Sequence, residues 1–166
     1  MEIPNVQYQV GEHVVYPLQG VGIIKDITKR KFKGKEMSYY VIFLDISDMT
    51  VMIPVENAEG IGIRPIVSSQ EALEALESIS GVYEPVTVDW KVRYTMNLEL
   101  LKEGTIASIA SVVQTLYHRS KIKELPVQER KLYDNALRIL IDEISFSLAK
   151  PKKEIEQLVF SKLEEE

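Results

Sequence analysis

Trp90 is the only tryptophan among the 166 residues and stands in PVTVDWKVRY, between Asp89 and Lys91 with Arg93 and Tyr94 just beyond. An indole beside an ammonium and a guanidinium can press on nucleic acid: the ring stacks on or wedges between bases while the cations hold phosphate. A lone tryptophan in a helix more often anchors a core, so its setting decides between the two. The residues that follow form an apolar helical face of Val92, Met96 and Leu100, with Leu101 beside it. At about 100° per residue, Trp90 falls about 200° from Val92 and about 240° from Met96, off the centre of that face. Arg93 lies one turn onward on the tryptophan's own side.

Two cation clusters accompany this segment. KRKFKGK, Lys29 to Lys35, brings five cations around Phe32 and Gly34. Residues 117–131, YHRSKIKELPVQERK, bring Arg119, Lys121, Lys123, Arg130 and Lys131 against Glu124 and Glu129. Either run can be a wetted surface that discourages edge aggregation. The first, flanked by strands, also fits an acidic partner protein that adds a strand to an exposed sheet edge.

Catalytic chemistry has little to draw on. Cysteine is absent, which removes thiol nucleophiles, disulfides and thiolate metal sites together, and His13 and His118 are the only imidazoles. There is no GxSxG elbow, no GxxxxGK[ST] phosphate loop and no HExxH helix. Adjacent carboxylates such as Asp142 and Glu143 point in different directions on a helix and read as solvated surface. The expectation is a non-catalytic protein without metal or cofactor.

These residues sit on two kinds of scaffold. Up to residue 66 the chain alternates with period two, in VVYP, GVGIIKDI, MSYYVIFL and TVMIPV, and turn chemistry in FKGKE and DISD separates the runs. That pattern predicts a small, highly bent antiparallel sheet or partial barrel, with Gly20 and Gly22 at a bulge or sharp bend and Pro54 at an edge or strand end. After Pro65 the period becomes helical. Ser68 with Glu71 forms a capping box opening SQEALEALESI, and helices are expected from about Asp89 to Lys102, Thr105 to about His118, Pro126 to about Ala149, and from Pro151. The fold class is α+β, with a β-module over 1–67 and an all-helical domain of about five helices over 68–166.

The net charge is −5, made of −1 over residues 1–66 (7 cations, 8 anions) and −4 over the rest (13 against 17). That balance argues against a protein that coats nucleic acid by bulk electrostatics and places any such contact in local patches. No apolar run approaches the roughly 20 residues that span a bilayer, and MEIPNVQYQV lacks a secretory signal, so the expected setting is cytoplasmic, away from membranes.

Over nearly its whole length the chain resembles the CarD/CdnL family of bacterial RNA polymerase-binding transcription regulators. The likeness rests on VGEHVVYPLQGVGII at 10–24, YYVIFL, VMIPVENAEGIGIR at 51–64, PVTVDWKVRY at 85–94, GTIASIASVVQTLYHR and ERKLYDNALRIL. The opening motif is shared with the polymerase-interaction module of the transcription-repair coupling factor, and its combination with a tryptophan-bearing helical domain is more specific. The resemblance implies a Tudor-like β-fold that docks on the polymerase β subunit through strand edges and basic side chains, here Arg30, Lys31, Val51, Met52, Ile53 and Pro54. It implies a helical domain lying on promoter DNA at the upstream edge of the melted bubble, with Trp90 as a minor-groove wedge and Lys91, Arg93, Arg119, Arg130 and Lys131 on phosphate. Met52 stands where relatives often carry a basic residue, and Val92 and Thr95 where relatives can be charged. The expected function is stabilisation of the open promoter complex by a monomer whose DNA binding is weak and largely sequence-independent. The alternative is a peptide-binding β-module with a purely structural helical bundle in which Trp90 is core.

Overall fold

A computed structural model describes residues 7–85 and 87–165; the first six residues of MEIPNVQYQV, Val86 in the VYEPVT linker and the final Glu166 lie outside them. The chain divides between Ile66 and Val67 into two compact units.

In the first unit, β1 (His13–Tyr16), β2 (Gly20–Phe32), β3 (Lys35–Leu44), β4 (Met49–Pro54) and β5 (Arg64–Pro65) form one antiparallel sheet in the order β4-β3-β2-β1-β5. A one-turn helix, α1 (Ala58–Ile61), precedes β5. Lys33 and Gly34 close the β2–β3 hairpin with φ of 51° and 80°. Two successive positive φ values make a primed turn, whose twist matches that of the strands it joins. The cations Lys29, Arg30 and Lys31 therefore lie inside β2 and not in a loop. Gly20, with φ of 91°, takes the sharp bend between β1 and β2, and the bulge falls further on at Lys25, between Ile24 and Asp26. Gly22 serves close packing instead: a Cβ there would stand 2.6 Å from Ile42 Cγ2.

The strand pleat separates two faces. Val14, Ile24, Tyr40, Ile42, Leu44 and Ile53 turn into the core. The buried Tyr40 hydroxyl accepts from the backbone N–H groups of Gln7 (2.9 Å) and Tyr8 (3.3 Å), and the Tyr8 hydroxyl donates to Ile63 O at 3.2 Å. The Tyr40 phenol thus satisfies backbone ahead of β1, and the Tyr8 phenol satisfies backbone just ahead of β5.

The second unit holds α2 (Ser69–Ser78), α3 (Trp90–Glu103), α4 (Ile106–Ile122), α5 (Val127–Leu148) and α6 (Lys152–Leu163). Ser68 caps α2 by accepting from Glu71 N, and Thr105 caps α4 by accepting from Ser108 N. Gly104, in the left-handed conformation, ends α3. The long α5 packs against α2, α3, α4 and α6. Its central place overturns one expectation: Asp142 and Glu143 are both buried, not solvated. Adjacent helical residues do diverge, but α5 is covered on both flanks there. Asp142 pairs with Lys152 at 2.6 Å, and Glu143 Oε2 accepts from the backbone N–H of Val67 at 3.0 Å. Ser147 donates to the carbonyl of the same Val67 at 2.8 Å, so α5 holds both polar groups of the unit's first residue.

Candidate functional site

The six residues expected to meet polymerase do not share one face. The register pairs Arg30 with Met37, Tyr39 with Pro54 and Val41 with Met52. Period-two alternation then puts Arg30, Tyr39, Val41, Phe43, Met52 and Pro54 on the side away from the core. Lys31, Val51 and Ile53 belong to the opposite side, where Ile53 is buried in the core and Val51 packs against it. Val51 and Ile53 can still offer backbone groups, because among the described residues β4 is an edge strand with a hydrogen-bonded neighbour on one side only. Sequence reasoning missed Tyr39, Val41 and Phe43 as surface. The signal was available: YYVIFL is apolar at every position, whereas a half-buried strand needs apolar residues only at alternate ones. Phe32, at the hairpin tip, is 57% exposed with Lys33 Nζ 5.5 Å from its ring centre.

In the helical unit Trp90 is half-buried in the first turn of α3. Lys91 is exposed and places its Nζ 5.9 Å from the centre of the indole. The N-cap residue Asp89 makes no side-chain capping bond. The apolar face of Val92, Met96 and Leu100 is split: Val92 and Met96 are 49% and 50% exposed and Leu100 is half-buried, while Arg93, Asn97 and Leu101 are the buried positions of α3. Trp90 therefore stands on the line of the inward stripe, at its outer end.

Arg93 must be withdrawn from the phosphate-binding set. It is 4% exposed, and its Nε and Nη2 donate to Glu129 Oε1 and Oε2 at 2.6 and 2.8 Å. Its Nη1 donates to the Val88 carbonyl at 3.3 Å. All three guanidinium nitrogens are engaged inside the protein. Glu129 is wholly buried in the first turn of α5, where the helix dipole favours a carboxylate. The pair ties the turn carrying Trp90 and Lys91 to the turn carrying Arg130 and Lys131, both exposed. Arg130 also makes a 3.6 Å contact with Asp134 and lies 5.8 Å from the centre of the Tyr133 ring. Burial pushes the Tyr133 phenol up to about 12, so it stays a neutral hydroxyl beside that guanidinium. Arg119 is half-buried in the last turn of α4, on a different helix.

Upstream of α3 the linker is pinned at Tyr83. Its ring stacks on His118 at 4.8 Å with 11° between planes, and its hydroxyl meets Thr115 Oγ1 at 3.0 Å. Burial lowers the pKa of His118. Among the described residues no group of three or more His, Cys, Asp or Glu side chains gathers as a metal site would require, and no helix is long and apolar enough to cross a membrane.

With this geometry in place, the profile of the CarD-like/TRCF RID domain matches residues 8–67, and that of the CarD C-terminal domain matches residues 74–160. YdeB of Bacillus subtilis (strain 168), a candidate transcription factor by its name, is 36% identical over 152 residues, which cover 89% of this chain and 97% of YdeB.

Proposed function

The chain belongs to the CarD family of transcription factors, and from that premise we propose that it is a non-catalytic regulator that docks on the β subunit of RNA polymerase and stabilises the open promoter complex. The β-module supplies the docking surface, with Arg30, Met52 and Pro54 on one sheet face and the backbone of Val51 and Ile53 along the β4 edge. The helical unit lies on promoter DNA at the upstream edge of the bubble. There Trp90 wedges from the minor groove, while Lys91, Arg130, Lys131 and Arg119 meet phosphate. The protein acts as a monomer in the cytoplasm.

One observation carries this reading: a CarD-like/TRCF RID domain is joined on one chain to a half-buried, cation-flanked tryptophan at a helix start within the CarD C-terminal domain. The half-burial matters, because an indole held on one side by its own domain is stiff enough to hold a base step open. It equally supports the rival reading of Trp90 as an interhelix anchor, and one experiment separates them. Open promoter complexes are formed with bacterial RNA polymerase and the full chain, and their lifetime is compared for wild type and Trp90→Ala while capture of polymerase is measured in parallel. Shortened lifetime with unchanged capture supports the wedge. A lowered melting temperature with unchanged lifetime makes Trp90 an anchor, and failure to capture polymerase at all removes the proposal.

A further inference from the structure

Helix α3 buries a guanidinium and an amide, Arg93 and Asn97, on its inward side beside Leu101, and leaves Val92 and Met96 exposed. Its apolar residues lie on more than one side: Trp90, Tyr94, Leu98 and Leu101 are partly or fully buried while Val92 and Met96 are not, so apolar burial alone does not single out one rotation. What does single one out is the ion pair with Glu129. A guanidinium and a carboxylate joined by two parallel N–H···O bonds are satisfied in a single rotational setting, and a buried charge left without its partner costs far more than two exposed aliphatic side chains. A buried pair of this kind can select one register from several.

The same guanidinium reaches the Val88 carbonyl, two residues ahead of Trp90. The start of α3 lacks the side-chain cap that Ser68 and Thr105 give to α2 and α4. Its first turn is thus held by a tertiary latch rather than by a local one. At the other end of the latch, the next two residues after Glu129 are the exposed Arg130 and Lys131.

We propose that Arg93 and Glu129 are positioning residues: their buried pair fixes the rotation of α3 against the first turn of α5, so that Trp90, Lys91, Arg130 and Lys131 address one DNA duplex as a unit. The consequence for DNA rests on the proposed role of Trp90. The consequence for the direction of the indole does not.

The test is Arg93→Met combined with Glu129→Leu in the full chain, which replaces the pair by apolar side chains of similar volume, a change that commonly leaves stability intact. Trp90, as the only tryptophan, reports its own setting through iodide quenching and fluorescence anisotropy. The expected result is cooperative melting near that of wild type, easier quenching, lower anisotropy, unchanged capture of polymerase, and an open-complex lifetime reduced to that of Trp90→Ala. A folded double variant whose indole is quenched and oriented as in wild type overturns the latch. Should the double variant fail to fold, Arg93→Lys carries the same fluorescence readings, since an ammonium keeps the charge but cannot span both carboxylate oxygens and Val88. If Trp90→Ala shortens the lifetime and the freed indole does not, positioning has no part in function. If neither changes the lifetime while the indole moves, the latch stands and the wedge has failed.

Discussion

Glu129 has no exposed surface, and its charge is tolerated because one guanidinium answers both of its oxygens. Removing one partner of such a pair strands the other, so Glu129→Ala should cost about 3–5 kcal/mol of stability, read as a lower denaturation midpoint with little change in slope. Glu129→Gln should cost less, because the amide oxygen still accepts from Arg93. Trp90 calls for a different forecast. Truncating a fully buried tryptophan costs about 3–5 kcal/mol, and a half-buried one in the first turn of a helix should lose about 1–2 kcal/mol. On polymerase the same Trp90→Ala substitution should remove about 1–3 kcal/mol of stacking, which is about 5-fold to 150-fold in open-complex lifetime. The two readouts are separable because the first is measured on the free protein by melting.

At the scale of elements, the pleat of β2 turns two neighbouring cations into a controlled comparison. Arg30 shares a face with Met52, whereas Lys31 belongs to the other side of the ribbon. Arg30→Glu should therefore weaken capture of polymerase strongly and Lys31→Glu weakly, with both variants melting like wild type, since exposed charges contribute little to stability. Equal losses would mean that the partner grips the hairpin edge and not the sheet face. The Tyr83–His118 stack makes a second element-level forecast. Burial favours the neutral imidazole, so the folded pKa lies below the unfolded one. Above about pH 6.5 both states are neutral at this site; as pH falls below that, the unfolded chain takes the proton first and folding loses stability. Between about pH 7 and 5 the melting temperature of wild type should fall more steeply than that of His118→Phe. The same scale explains what could be read in advance. The caps at Ser68, Thr105 and Gly104 are local in sequence, and the starts of α2 and α4 and the end of α3 follow from them. The β2–β3 turn is local too, because Lys33–Gly34 closes on itself. The rotation of α3 is not local: it is set with Glu129, 36 residues away, because the helix's own apolar residues lie on more than one side. Likewise Asp142 and Glu143 look like surface until α5 is known to lie between other helices. Arg93 was misplaced for that reason, since at its position a cation facing DNA and a cation facing a buried carboxylate have the same sequence.

For the molecule as a whole, charge sets how much the helical unit can do without a partner. Its segment carries 13 cations and 17 anions, a net of −4, and Arg93 is spent internally. Lys91, Arg119, Arg130 and Lys131 remain, with Arg130 shared with Asp134. Two to four phosphate contacts correspond to a log–log salt slope of about −2 to −4, and to an affinity for duplex DNA at or beyond the weak end of the usual ~10⁻⁴ to 10⁻⁶ M for non-specific binding. A site that weak works only when it is delivered. Docking through a linked module raises the local concentration of the helical unit to the order of millimolar, provided the connection is short and spans the distance. The connection here is direct, since Val67 opens the helical unit immediately after Ile66 and is held through both backbone polar groups by Glu143 and Ser147. At micromolar concentration the free protein should therefore shift promoter duplex little and without sequence preference, while the same concentration prolongs open complexes on polymerase. Arg30→Glu should abolish that effect although it touches no DNA contact, and excess protein should restore it, because mass action replaces lost docking affinity. Tight, sequence-selective binding to naked duplex by the protein alone would contradict delivery and would place the specificity in the helical unit itself.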